Sequence, residues 1–114
     1  MATIYHNPRC SKSRQTLELI KNQGLEPDVV LYLETPLSAQ TIATLLKKLG
    51  ISARQLLRRG EQAYKEQNLA DNSLSETQLI QAMVEFPKLI ERPIVVSGDR
   101  AMIGRPPEQV MEIL

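Results

Sequence analysis

One cysteine and one histidine are all that this chain of 114 residues carries of the soft ligands that build structural metal sites. A zinc or iron–sulfur centre needs a cluster of such side chains, so no metal is expected, and a single thiol cannot close an internal disulfide. Any thiol redox cycle must borrow its second sulfur from outside the chain. An excess of one charge is also missing, since 14 basic residues face 13 acidic ones for a net charge of +1. Nothing in that balance calls for a nucleic-acid or membrane partner, and any functional charge must be local. No apolar run approaches the ~18 residues of a membrane span, and no charged-then-apolar secretory pattern opens the chain, so a cytoplasmic location is expected. Repeats and low-complexity tracts are absent as well. An apolar content of 42% fits one globular domain over residues 1–114, expected to act as a monomer.

What the chain does carry is a cysteine in a polar, cationic setting. Cys10 stands where a strand pattern gives way to a helical one, in His6-Asn7-Pro8-Arg9-Cys10-Ser11-Lys12-Ser13-Arg14. A thiol at a helix N-terminus meets backbone N–H groups without helical partners and the positive end of the helix dipole, and both favour the ionised sulfur. Arg9, Lys12 and Arg14 act in the same sense. An ordinary thiol is only about 3% ionised at pH 7, so a lowered pKa multiplies the available nucleophile. A lone cysteine is most often a small buried hydrophobe. The neighbours of Cys10 point instead to a reactive thiolate.

Residues 2–5 read as a strand and residues 11–23 as a helix with Leu17 and Ile20 on its inner face and Gly24 as its stop. Residues 28–33 form a near-continuous apolar run, the pattern of a strand buried on both faces and parallel to the first. Ser38 is a helix N-cap ahead of Ile42, Leu45, Leu46 and Leu49, with Gly50 as the stop. Residues 52–59 read as a second, short helix ending at Gly60. Residues 61–74 hold one helical turn at most, and Ser75 with Gln78 opens a third helix through a capping box, closed by Pro87. Ile94-Val95-Val96, the turn Ser97-Gly98-Asp99-Arg100 and Ala101-Met102-Ile103 make a hairpin. A last helix, opened by Arg105-Pro106-Pro107-Glu108, turns Val110, Met111 and Leu114 inward. The predicted class is α/β, a β-α-β / β-β-α core over about 1–34 and 90–114 with a helical insertion over about 37–88, between the second and third strands.

Five segments sharpen this outline: His6-Asn7-Pro8-x-Cys10 with Ser13-Arg14, Tyr32-Leu33-Glu34-Thr35-Pro36, Leu56-Leu57-Arg58, Arg92-Pro93-Ile94-Val95-Val96 and Arg105-Pro106. In this order, over residues 2–114, they resemble the glutaredoxin-coupled arsenate reductase family, which has a thioredoxin-like fold. The resemblance implies Cys10 as nucleophile, Arg58, Arg92 and Arg105 as ligands of the arsenate oxyanion, and His6 and Ser13 as supports of the thiolate. It implies that Pro93 is the cis-proline facing the cysteine. It also implies no bound cofactor, glutathione as co-substrate and glutaredoxin as partner. Taken singly, each arginine reads as a surface charge and His6 as a strand-end histidine bonded to backbone. Arg54, four residues before Arg58 on the predicted helix, is a secondary candidate, while Arg59 would point about 100° away and reads as solvated. The departures from the family pattern are Arg9 ahead of Cys10, Glu91 ahead of Arg92, and a chain end at Leu114 where longer members continue.

Arsenate is a tetrahedral oxyanion, and the planar, permanently charged fork of arginine suits it better than lysine does. Its reduction takes two electrons, which two thiols supply by ending as a disulfide. The implied course is attack by Cys10, entry of a glutathione thiol, release of arsenite and a mixed disulfide that glutaredoxin clears. A phosphatase-type oxyanion loop would need an arginine six residues after the cysteine, and that position is Thr16. A thiol oxidoreductase of the same fold acting on another oxyanion or on glutathione mixed disulfides stays open. The related Spx-like regulators that bind RNA polymerase often carry a second cysteine three residues after the first. This chain has Ser13 there, which favours an enzyme.

Overall fold

A computed structural model of the chain describes residues 2–114. The chain divides into two compact units, Met1–Thr35 with Arg92–Leu114, and Pro36–Glu91, which lies between those segments in sequence.

The first unit is a mixed sheet with one α-helix. Strands β1 (Ala2–Tyr5), β2 (Asp28–Val30), β3 (Ile94–Ser97) and β4 (Arg100–Ile103) lie in the order β2-β1-β3-β4. β1 pairs in parallel with β2 and in antiparallel with β3, which pairs in antiparallel with β4. Helix α1 (Ser11–Asn22) joins β1 to β2, so the β-α-β and β-β parts of the expected core are both present. Ile4 of β1, Ile20 of α1 and Val95 of β3 meet Val110 and Ile113 of the C-terminal segment in one apolar cluster. In the hairpin Ser97 pairs with Arg100, and of the two turn residues only Gly98 has a positive φ (62°), the pattern of a type II′ turn.

Two expectations fail in this unit. β2 has three residues at the sheet edge, and Asp28 and Val29 are exposed, so it is not a strand buried on both faces. The chain turns after Val30, and Tyr32, 1% exposed, supplies the burial that the apolar run signalled. Such a run records burial without saying whether a strand or a turn provides it. The last helix is a 3₁₀ helix over Pro107–Glu112. At three residues per turn, Pro107, Val110 and Ile113 fall on the inner face, whereas Met111 and Leu114 stay exposed, at 40% and 37%.

The second unit holds α2 (Ala39–Leu49), α3 (Ala53–Leu56), α4 (Gln62–Glu66) and α5 (Glu76–Glu85), then a 3₁₀ turn over Pro87–Leu89. Its helix ends are set by local chemistry. Ser38 accepts from the Thr41 N–H, Gly50 takes the left-handed conformation, and Ser52–Gln55 and Ser75–Gln78 close two capping boxes. α2 and α3 pack on α5, and the Ala53 N–H donates to Glu76 Oε2 (2.8 Å). α4, with five residues, is slightly longer than the single turn expected.

α3 is half the predicted length, for a reason that lies far along the chain. Leu57 leaves the helix to form an antiparallel bridge with Ile90. Flanking it, the Arg58 N–H donates to Leu89 O (2.8 Å) and the Glu91 N–H to Leu56 O (3.0 Å). Arg58 and Arg59 are therefore not helical, and the angular comparison made for a helix does not apply to them. Arg54, the secondary candidate, donates from Nη1 to Leu69 O (2.8 Å) and from Nη2 to Asp71 O (2.9 Å), which commits its guanidinium to holding the loop after α4. Among the described residues no helix is long and apolar enough to cross a membrane, and no group of three or more His, Cys, Asp and Glu could hold a metal ion.

Candidate active site

The loop between β1 and α1 is tied down before the cysteine is reached. The His6 N–H extends the β1–β2 ladder by donating to Val30 O (2.9 Å), and the Cys10 N–H closes a turn onto Asn7 O (3.0 Å). Asn7 Oδ1 accepts from the Arg9 N–H (3.0 Å), and Arg14 reaches back from α1 to donate from Nη1 to Pro8 O (2.9 Å). Ser13, fully buried, accepts the Asn7 N–H (3.0 Å) and lies 2.7 Å from His6 Nδ1. The donor in that contact follows the imidazole tautomer, and the neutral ring can make the bond with either nitrogen protonated. Burial, followed by the positive charges of Arg14 and Lys21, favours the neutral state and holds the His6 pKa below its ordinary value. A neutral, buried imidazole on Ser13 organises the loop.

Cys10 is the N-cap of α1, with extended backbone (φ −92°, ψ 123°), and no acidic residue stands in the first turn to compete for the positive end of the helix. Burial of the thiol opposes ionisation. It is outweighed by the Ser13 N–H, by the hydrogen bond and charge of Arg92, and by the Lys12 N–H, so the Cys10 pKa lies below the ordinary thiol value. None of these is a short N-cap bond, since the large, soft sulfur takes its contacts at longer range.

Arg92 and Arg105 arrive through the hairpin register. Ile94 pairs with Ile103, and the Gly104 N–H donates to Pro93 O (2.9 Å), so the pairing continues past the strands and sets Arg92 opposite Arg105. Arg105 Nε donates to Arg92 O (3.0 Å), and its Nη2 stands 3.9 Å from Cys10 Sγ, 95 residues away in sequence. Both arginines precede cis bonds, Arg92–Pro93 and Arg105–Pro106. The resemblance implied the first and not the second.

This electrostatic arrangement has a direct readout. Alkylation of Cys10 by iodoacetamide is expected to follow pH with a midpoint below that of a free thiol, and Arg92→Gln is expected to raise the midpoint. A wild-type midpoint at the free-thiol value would mean that burial wins. Folding stability shares the sign. The unfolded chain holds its Cys10 proton to higher pH than the native one does, so stability rises with pH through the native pKa up to the ordinary thiol value. His6 acts in the same direction, costing stability as pH falls below its ordinary value of 6.5.

Of the residues singled out in the sequence, Cys10, Arg92 and Arg105 come together, with His6 in the loop that leads to the thiol and Ser13 in the first turn of α1. Pro93 leads into β3 beside Gly104. Arg58 belongs to the second unit, where its guanidinium faces Glu61 and Glu91. Sequence reasoning missed Gly104 as a site residue. It allows the end of the hairpin to lie against Thr16 of α1 and the ring of Pro93, and neither periodicity nor turn chemistry marks such a close approach.

The sequence profile of the ArsC family matches residues 5–113, a span that includes Cys10, Arg58, Arg92 and Arg105. Over 112 residues the chain is 68% identical to the protein YfgD of Escherichia coli (strain K12), covering 97% of this chain and 94% of that one. It is 51% identical over 112 residues to the arsenate reductase of Haemophilus influenzae, covering 97% of each. The solved structure of an arsenate reductase from Vibrio cholerae superposes with a TM-score of 0.97 at 54% identity, over 99% of this chain and 97% of that one. A match that runs through all these positions, on a backbone that superposes so closely, makes the chain a member of the ArsC family with its thioredoxin-like fold.

Proposed function

We propose that this protein is an oxidoreductase that reduces arsenate to arsenite, using Cys10 as its only thiol and glutathione and glutaredoxin as external thiol donors. The observation that carries the reading is the convergence of Arg92 and Arg105 on a Cys10 sulfur whose pKa is held below the ordinary value. Relatives named arsenate reductase, about half identical over nearly the whole chain, support arsenate as the substrate. Arg58 enters as a third oxyanion ligand on the sequence resemblance alone.

In the proposed course the Cys10 thiolate attacks arsenic and displaces one arsenate hydroxyl, which takes a proton from solvent and leaves as water, forming a sulfur–arsenic(V) bond. The arginines offset the charge that gathers on the remaining oxygens. A glutathione thiolate then attacks the Cys10 sulfur. The disulfide forms, the sulfur–arsenic bond breaks, and its electron pair stays on arsenic, which leaves as arsenite. A glutaredoxin thiolate takes the glutathione from the mixed disulfide and returns Cys10 to its starting state.

The test is NADPH consumption by the purified protein with glutathione, glutaredoxin and glutathione reductase. Arsenate-dependent oxidation is expected. A folded protein with a low-pKa thiol and no arsenate turnover would redirect the same chemistry to another oxyanion or to glutathione mixed disulfides.

A further inference from the structure

We propose that Glu61 and Glu91 are specificity-determining residues that hold the Arg58 guanidinium in ion pairs an incoming oxyanion must displace, and so set a ceiling on oxyanion affinity. The inference rests on the reading of Arg58 as an oxyanion ligand. It starts from the backbone of the second unit. The Leu57–Ile90 bridge brings the segments that carry Arg58 and Glu91 alongside one another. The flanking hydrogen bonds, Arg58 N–H to Leu89 O (2.8 Å) and Glu91 N–H to Leu56 O (3.0 Å), hold that arrangement. Glu61 comes from the N-cap of α4, where its side chain makes no capping bond.

Arg58 Nη1 then lies 3.7 Å from Glu61 Oε2, and Arg58 Nε lies 3.8 Å from Glu91 Oε1. The guanidinium thus faces two carboxylates. Both contacts exceed hydrogen-bond length, and the side chains are 23–28% exposed. Pairs of this kind are weak and exchange readily. An oxyanion engaging Arg58 meets two consequences: it must replace both carboxylates at the guanidinium, and it must then tolerate them as like-charged neighbours. A guanidinium left open would bind anions more tightly and discriminate less. Glu91, a departure from the family pattern just ahead of Arg92, thereby acquires a role through Arg58.

Two readouts with inorganic arsenate test this: the concentration that half-protects Cys10 from iodoacetamide, and the KM of the coupled reaction set against kcat. Glu61→Gln and Glu91→Gln preserve shape and remove charge, and circular dichroism confirms folding. Each is expected to lower the half-protecting concentration about threefold, and the pair about tenfold, with KM falling more than kcat changes. Placed in an Arg58→Ala background, the same two changes are expected to shift half-protection by less than about 1.5-fold, because they act through Arg58. Equal effects with and without Arg58 would reduce the carboxylates to a general field and overturn the proposal. Unchanged protection in the double glutamine variant, with protection weakened by Arg58→Ala, would overturn it while leaving Arg58 as a ligand. Unchanged protection in Arg58→Ala alone would remove Arg58 from the site, and the proposal with it.

Discussion

Cys10→Ser is expected to lower arsenate turnover by at least about 10³-fold while leaving the fold intact, because it removes the only thiol in the chain. The substitution separates chemistry from structure well. Cys10 is the N-cap of α1, a position where serine is among the best residues. A serine hydroxyl can accept from the N–H of Lys12 or Ser13, so the melting temperature is expected to hold or rise. The hydroxyl cannot stand in for the thiolate, since it stays protonated near neutral pH and cannot end as a mixed disulfide. Thermal melts run beside the coupled assay decide the matter. Retention of a tenth of the wild-type rate in a folded Cys10→Ser protein would place the redox chemistry elsewhere.

Gly104→Ala is expected to damage stability and activity together. A Cβ at this position would stand 2.5 Å from Thr16 Oγ1, 2.8 Å from Pro93 Cγ and 3.1 Å from Thr16 Cγ2. Neither neighbour can yield easily. Thr16 is fully buried, and its hydroxyl donates to Lys12 O (2.8 Å) within α1, while Pro93 is a buried ring. The Gly104 N–H is itself bonded to Pro93 O, so relief requires the end of the hairpin to move relative to α1. Arg105 follows directly and would move with it. Overpacking of this kind costs about 1–3 kcal/mol, or roughly 5–15 °C in melting temperature for a chain of this size. Displacement of an oxyanion donor by about 1 Å is expected to lower kcat/KM by about 10- to 100-fold. Gly60→Ala is the control, since a Cβ there meets nothing within 4 Å, and its effect should stay within about 0.5 kcal/mol. Wild-type melting and kinetics in Gly104→Ala would show that the hairpin end tolerates the methyl group.

The elements that could be read from the sequence are those governed by neighbours three or four residues apart. Ser38, Gly50 and the Ser75–Gln78 box mark helix ends because a capping side chain reaches only N2 or N3, and Gly98 marks the hairpin because its turn needs a positive φ. Where distant pairing competes with local propensity, the reading failed. Residues 57–59 continue a helical pattern, yet Leu57 joins Ile90 from the far end of the second unit. The run 28–33 is apolar throughout, yet a three-residue edge strand and a turn share it. Val110, Met111 and Leu114 suit an α-helix, yet packing against Ile4 and Ile20 selects a 3₁₀ helix that buries Val110 and Ile113.

The candidate site divides along the same line. Sequence alone determined that there is one thiol, that it heads a helix among cationic neighbours, and that any redox cycle must draw on a thiol from another molecule. These follow from composition and from interactions within one turn of Cys10. Only tertiary structure decided that Arg92 and Arg105 meet at that thiol, that Gly104 must lack a side chain, and that Arg58 faces two carboxylates. Each depends on strand register or on the approach of segments far apart in sequence, and a shift of one residue in pairing would point those side chains elsewhere.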